Sequence, residues 1–313
     1  MPMPTLTDSP LVSIIVPSFN QGRFIRQTLE SILAQDYRPL EVIIIDGASE
    51  DETLAILHGY DHTPEVRWLS EPDSGVVEAV NKGFARASGE IGAIQSSDDF
   101  YLPGAVRAGV EALRADPELA FVFGDILKVD ADGRELMRTR LGDYALEAVL
   151  SLKTWIPQPS TFFRMDLAKA LGGWREEVPY AADTDLWLRM AFRAGARKLD
   201  RLMAGRTQHE TQRDRQGERI VRDYGRMLDQ LAPLAVAPPR LRRAAAAGRL
   251  LLANRYLPAT GYWQHWGRLW LASLRYPPLL RRIDPWALVP GWYPLRGRLA
   301  ALYRRVAGPS NRC

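Results

Sequence analysis

Oxygen-bearing side chains recur where apolar runs stop in the first hundred residues. Ser18 and Asn20 follow the run 11–17, and Asp46 follows 40–45. Glu71 and Asp73 follow 66–69, and Asp98 and Asp99 follow 91–95. Carboxylates can hold a hard divalent cation, accept a hydrogen bond from a base N–H, or take a proton from an attacking hydroxyl. One acid in one loop would be an ordinary turn or helix cap. Four polar strand ends together imply a shared cleft. A cleft rimmed with carboxylates repels a phosphorylated ligand unless a divalent cation lies between them. No His/Cys spacing suited to zinc occurs. The one cysteine, Cys313, permits no intramolecular disulfide, which suits a reducing compartment.

The elements that must position these groups follow from periodicity. LVSIIVP (11–17) and LEVIII (40–45) are continuous apolar runs, the pattern of buried parallel strands. Arg23 to Gln35 places Phe24, Ile25, Leu29, Ile32 and Leu33 at helical spacing. Ser49 to Leu57 reads as a helix opened by a capping box of Ser49 and Glu52. Val66–Leu69, Ile91–Gln95 and Ala120–Phe123 are predicted strands, and Gly75–Ala87 and Pro103–Ala115 predicted helices. This alternation predicts an α/β domain with a mostly parallel sheet. Such sheets bind ligands beyond the carboxyl ends of their strands.

The runs VSIIVPSFNQGRFIRQTLESILAQDYRPLEVIIIDGASEDET and SEPDSGVVEAVNKGFARASGEIGAIQSSDD, in this order and at this spacing, resemble the family 2 glycosyltransferases. The resemblance extends over residues 11–215. It implies a GT-A fold, a Rossmann-like mostly parallel sheet flanked by helices. It also implies inverting transfer of a sugar from a nucleoside-diphosphate donor, with uridine the base expected from the family. Asp99 is then the direct ligand of Mg²⁺ or Mn²⁺, and Asp98 faces the ribose or a metal-bound water. Ser97 stands where the family's Asp-x-Asp motif has its first acid. By the same resemblance Asp46 contacts the nucleobase, and Pro17, Ser18 and Asn20 line the nucleotide pocket. Asp73, in SEPDSG, resembles a donor-side segment. His209 sits where relatives place a histidine near metal and diphosphate. Lys82, one of five lysines beside 36 arginines, could offset donor phosphate charge.

The acceptor half comes later in the chain. WIPQPSTFFR (155–164) resembles the segment preceding an acceptor-side element. Gly172-Gly173-Trp174 follows, then ADTDLWLR (182–189). That run resembles the family's Glu-Asp-x-Asp-Leu helix start, with Ala182 in place of the glutamate. Asp183 aligns with the family's general base. Inverting transfer needs a carboxylate that takes the acceptor hydroxyl proton as that oxygen attacks the anomeric carbon. Asp185 reads as a structural residue of the helix start.

The net charge of +4 hides an asymmetry. From Arg240 to Cys313 there are 14 arginines, no lysine and one acid, Asp284, so the preceding chain is net acidic. The same tail holds Trp263, Trp266, Trp270, Trp286 and Trp292, five of nine tryptophans. The expected organisation is an N-terminal tail (1–10), a catalytic domain (11–235) and a helical C-terminal extension (236–313). Residues 11–125 form the nucleotide-sugar half of the catalytic domain and 126–235 the acceptor half. In the extension Trp263, Trp266, Trp270, Leu271 and Leu274 recur at helical steps, flanked by Arg268, Arg275, Arg281 and Arg282. Two readings of this helix stand. Its Trp face meets an anionic membrane surface, or it packs inward on the catalytic domain. No recognition motif supports nucleic-acid binding.

Neither a signal peptide nor an 18-residue apolar run is evident, so the expected location is cytoplasmic, peripheral on the inner membrane face if the extension binds lipid. The leading function is transfer of one sugar to a lipid-linked or cell-surface polysaccharide intermediate, a glycolipid or oligosaccharide acceptor. The heavy use of arginine over lysine hints at a GC-rich bacterial genome. The Gln-x-x-Arg-Trp motif and spanning helices of processive synthases are absent, which predicts single addition. A catalytically degenerate binding or scaffold subunit is the alternative, opposed by the joint presence of Asp46, Asp98, Asp99 and Asp183. A sugar nucleotidyltransferase is third. It should carry a Gly-rich basic loop where this chain has Ser18-Phe19-Asn20-Gln21-Gly22.

Overall fold

The structure is a computed structural model that describes residues 4–210, 216–256 and 262–279. Its first part alternates strand and helix: β1 (Val12–Ser18), α1 (Ile25–Leu33), β2 (Leu40–Asp46), α2 (Thr53–His58), β3 (Val66–Ser70), α3 (Val76–Arg86) and β4 (Ile91–Ile94). Every residue of β1, β2 and β4 is buried, as continuous apolar runs require when helices cover both sheet faces. Side chains alternate between faces. Ile15, Ile43 and Ile45 pack with Val77, Val80 and Phe84 of α3. Ile14, Val16, Val42 and Ile44 pack with Ile25, Leu29 and Ile32 of α1.

The chain continues through β5 (Phe100–Tyr101), α4 (Ala105–Ala115), β6 (Leu119–Asp130), β7 (Glu135–Thr139), α5 (Leu146–Leu150), β8 (Thr161–Arg164), α6 (Met165–Ala170), α7 (Ala182–Ala191) and β9 (Gly195–Gln208). Strand order in the sheet is β3-β2-β1-β4-β8-β6-β9-β5, with β7 paired to β6. Strands β1 to β4 are mutually parallel, and β6 and β9 are parallel. Strand β8 runs antiparallel to β4 and β6 between them. After β1 the chain builds outward on one side through β2 and β3, then returns to place β4 on the other. The carboxyl ends of β1 and β4 therefore flank a topological switch point, where a crevice opens.

Two expectations are corrected. The strand predicted at Ala120–Phe123 is the twelve-residue β6, far longer than expected. The predicted capping box does not form: α2 starts at Thr53, without a side-chain cap at Glu52. Ser49 turns its hydroxyl to Asp46 instead. A buried carboxylate outcompetes a helix terminus for that donor.

The C-terminal part comprises α8 (Gly217–Gln230), α9 (Ala232–Ala235), α10 (Pro239–Tyr256) and α11 (Tyr262–Arg275). Ala244, Ala245 and Leu252 of α10 join the core cluster that contains Leu186, Trp187, Tyr224 and Leu228. Inward packing therefore describes α10. On α11 the pattern is mixed: Leu269 and Ala272 are buried, while Trp270, Leu271 and Leu274 are exposed. The side chain of Trp263, and all of Trp286, Trp292, Arg281 and Arg282, lie outside the described residues. Among the described residues no helix is long and apolar enough to cross a membrane.

Candidate active site

The switch-point end of the site is assembled from short polar side chains that tie neighbouring strand ends together. Asn20, after β1, takes φ 51°, a left-handed conformation asparagine tolerates. Its N–H donates to Ser49 Oγ at 2.7 Å, and its Oδ1 accepts from the Glu50 N–H at 2.9 Å. Gln21 N–H donates to Thr53 Oγ1, and Gly22 N–H to Asp51 Oδ2. Asp46 underlies this latch. It is fully buried, and its oxygens accept from Ser49 N–H (2.8 Å), Ser49 Oγ (2.5 Å) and Ser70 Oγ (2.7 Å). Asp46 thus lies beneath the crevice and Asn20 at its back. Neither lines the cavity itself.

The acid corner lies after β4. Thr28 Oγ1 on α1 donates to the carbonyls of Ser97 (2.9 Å) and Asp99 (2.7 Å), fixing the Ser96–Asp99 turn. Asp99 Oδ1 accepts from the Thr207 N–H of β9 at 3.0 Å. Asp98 Oδ2 lies 2.8 Å from His209 Nε2, and the His209 ring stacks on Phe24 with centroids 4.8 Å apart. Asp98, Asp99 and His209 are thereby brought to one place from segments far apart in sequence. Their carboxylate oxygens and imidazole nitrogen suit Mg²⁺ or Mn²⁺, which take the rest of their ligands from phosphate and water. Among the described residues no three His, Cys, Asp or Glu side chains enclose a metal unaided.

Asp73 lines the same cavity. Its Oδ1 accepts from the Gly75 N–H at 2.8 Å. A Cβ on Gly47 would come within 3.0 Å of Asp73 Oδ2, so the close approach of the two loops depends on glycine there. Burial pushes the Asp73 carboxyl above its ordinary range, against the lowering hydrogen bond from Gly75. Lys82 is not brought to the cavity. Its ammonium is held by Glu71 (2.8 Å) and Glu78 (2.7 Å). Those two carboxylates raise its pKa, and Lys82 in turn lowers Glu78 to about 2.

The segment before α7 and its first turn hang on a buried ion cluster. Asp185 of α7 is fully buried and accepts from Arg175 Nε (3.0 Å) and Arg189 Nε (2.7 Å). Arg189 also donates to the carbonyls of Leu171 and Gly173, tying α7 to the Gly172-Gly173 turn. Both glycines have positive φ. A Cβ on Gly173 would meet Asn81 Oδ1 at 2.6 Å. Asn81 of α3 clasps the next residue twice, accepting from Trp174 N–H and donating to its carbonyl. The result is a rigid frame from which Trp174 and Asp183 face the cavity. Asp183 Oδ1 accepts from the following Thr184 N–H at 2.6 Å.

Both ends open into one cavity of about 1140 Å³. That is slightly above the roughly 300–1,000 Å³ of ordinary small-molecule sites. Pro17, Ser18 and Asp73 line it near the switch point, and Asp98, Asp99 and His209 line the acid corner. Ser18 Oγ, Gln21 Oε1 and Trp174 Nε1 are buried polar atoms on its walls without a hydrogen-bond partner. Leaving each unmet costs about 1–3 kcal/mol, so these are the positions a bound ligand would satisfy.

Several lining groups were not among the residues singled out in the sequence. Arg206 comes from β9 and carries no motif signal. Gln158, within the WIPQPS run, accepts from Ser96 Oγ and donates to the Ile94 carbonyl. Tyr180, Ile220 and Tyr256 line the cavity from the α7 approach, α8 and the end of α10. Phe19 is an exposed aromatic beside the crevice, a signal readable in the loop VPSFNQG.

The sequence profile of glycosyl transferase family 2 matches residues 13–172, and the chain belongs to that family. A Mycobacterium tuberculosis protein described as an uncharacterized glycosyltransferase is 34% identical over 192 residues, covering 60% of this chain and 71% of that protein. The chondroitin synthase of Escherichia coli is 30% identical over 210 residues. That match covers 66% of this chain but only 30% of the synthase, so the chain spans less than a third of that relative. S. aureus TarS in complex with UDP-GlcNAc superposes with a TM-score of 0.64 at 18% identity, over 85% of this chain and 81% of that one. A mannosyltransferase of Pyrobaculum calidifontis in complex with GDP-Man and Mn²⁺ gives a TM-score of 0.61 at 21% identity, over 97% and 84%. The fold is the GT-A fold, and the chain is a glycosyltransferase.

Proposed function

We propose that this enzyme is an inverting, metal-dependent transferase. It moves a single hexosyl residue from a nucleoside-diphosphate sugar, with UDP favoured, to a hydroxyl of a lipid-linked or cell-surface polysaccharide intermediate. The observation that carries this reading is one cavity with an acid corner at the strand ends and Asp183 on a separate frame. Its volume leaves room for a donor and the attacking part of an acceptor. The resemblance to family 2 favours uridine, while the two structural neighbours hold UDP-GlcNAc and GDP-Man.

The nucleotide enters at the switch point, against Pro17 and Ser18, on a wall that Asp46 stiffens through Ser49 and Asn20. Asp73 borders the donor sugar. Asp99 and His209 would hold the divalent cation, with Asp98 facing the ribose or a metal-bound water. That cation, when bound, neutralises charge on the diphosphate. Arg206 lines the cavity and would face the phosphates, whereas Lys82 lies outside it between Glu71 and Glu78. Trp174 Nε1 donates to a sugar hydroxyl. Asp183 takes the acceptor hydroxyl proton as that oxygen bonds to the anomeric carbon. The bond from that carbon to the diphosphate oxygen breaks, and the diphosphate leaves with the bonding pair.

A thermal-shift panel of UDP, GDP, CDP and dTDP, each with and without Mn²⁺, tests the donor site. A ligand that binds only the native state raises its stability by mass action. The expected result is a Mn²⁺-dependent shift for one nucleotide. No shift for any of them in folded protein would reject the donor assignment and favour a degenerate binding subunit.

A further inference from the structure

We propose that the α10–α11 hairpin docks the enzyme on an anionic lipid surface. Trp270, Leu271 and Leu274 would enter the headgroup boundary, with Arg242, Arg243 and Arg275 on the phosphates. The three apolar side chains are 61%, 48% and 64% exposed. Spaced one, three and four residues apart, they share one helical face. The other face of α11 is already occupied, with Leu269 and Ala272 buried. A contiguous exposed patch of tryptophan and leucine marks an interaction site.

The arginines are brought toward the patch by a partly exposed junction. Glu147 of α5 pairs with Arg240 at the start of α10 and accepts from Tyr276 Oη just past α11. The end of α11 therefore lies beside the start of α10, where Arg242 and Arg243 are exposed. Arg275 is exposed next to Leu274. Among the described residues no carboxylate pairs with Arg242, Arg243 or Arg275.

Charge selects the occupant. Residues 280–313 add seven arginines and one acid. That segment carries the same sign of charge as the cationic rim, as does a second copy of the same face, so neither complements it. An anionic bilayer supplies both requirements, acyl chains for the apolar side chains and phosphates for the guanidiniums. Helix α11 has 14 residues, about 21 Å at 1.5 Å per residue, so it lies in the interface and does not span.

The opposite end of the same hairpin reaches the cavity. Tyr256, the last residue of α10, lines it, and a Cβ on Gly217 would touch Tyr256. Tyr180 Oη donates to the adjacent Gln216 at 2.7 Å. The acceptor-side wall is thus continuous with the docking hairpin. Delivery of a lipid-held acceptor to Asp183 rests on the function proposed above, whereas the docking itself does not.

Sedimentation of the full chain with vesicles of phosphatidylcholine, alone or mixed with phosphatidylglycerol, tests the proposal without any nucleotide. The wild-type chain is expected to bind only the mixed vesicles and to release with salt. An arginine near an anionic surface is worth about fivefold in binding, so R242Q/R243Q/R275Q should weaken it about a hundredfold. W270S/L271S/L274S should abolish sedimentation at low lipid. Both variants should keep the wild-type circular dichroism and nucleotide thermal shift. Failure of the wild type to bind, equal binding to both vesicle types, or undiminished binding by either folded variant would overturn the proposal. So would a wild-type dimer that W270S/L271S/L274S converts to monomer, since that assigns the face to a second copy.

Discussion

The two ends of the cavity are built by different physics. At the proposed donor end, strand termini of one parallel sheet lie side by side, and serine, threonine and asparagine groups together with the Asp46 and Asp51 carboxylates lock their loops. Asn20, Gln21 and Gly22 each donate a backbone N–H to a side chain of the segment Ser49–Thr53. At the proposed acceptor end the cavity-facing residues sit on the irregular stretch before α7 and on its first turn. That stretch is held by a fully buried carboxylate shared between two arginines. A wall of many small hydrogen bonds loses them one at a time. A wall hung on one buried ion cluster fails as a unit, because removing one charge strands the others.

The contrast can be broken first at Asp183. Asp183→Asn removes the proposed proton acceptor and should lower acceptor-dependent nucleoside diphosphate release about 10²–10⁴-fold. Next is the frame. Asp185→Asn leaves Arg175 and Arg189 facing each other uncompensated and should cost about 3–5 kcal/mol in urea unfolding. Smaller is Asn81→Ala, which frees both backbone groups of Trp174. It should cost about 2 kcal/mol and raise the acceptor KM more than the donor KM. Ser49→Ala probes the donor side. It removes one of three hydrogen bonds to Asp46 and the anchor of Asn20, at about 1 kcal/mol by the same unfolding measurement. Glu78 gives the smallest effect. Its folded pKa is lowered to about 2 from the usual 4.5, chiefly by Lys82. Its contribution is therefore complete above pH 4.5 and lost as pH falls toward 2. Glu78→Gln should slightly flatten the decline of Tm in that window.

Most of the donor half was legible because its strands are buried on both faces and read as unbroken apolar runs. The acids at their ends followed from the rule that such sheets bind ligands there. Ser49 misled because a capping-box pattern looks the same whether the serine serves a helix or a buried carboxylate. Lys82 misled because helical periodicity does not show that Glu71 and Glu78 flank it. Strand β9, which supplies Arg206, has no clean alternation along its length. Its place in the sheet is set by pairing with β6 and not by local preference. Tyr256 was invisible for a different reason. It comes from the extension, and only the packing of α10 on α5 and α8 carries it to the cavity. The tail's amphipathic character was readable, but its partition was not: α10 packs inward, while α11 turns Trp270 outward.

The division between the two ends is tested most directly by comparing nucleotide thermal shifts in Mn²⁺ for the wild-type chain, Asp99→Ala and Asp183→Asn. If the acid corner holds the donor and Asp183 serves the acceptor, Asp99→Ala loses the shift and Asp183→Asn keeps it in full. An unchanged shift in Asp99→Ala, or its loss in a folded Asp183→Asn, would contradict the assignment of the two ends.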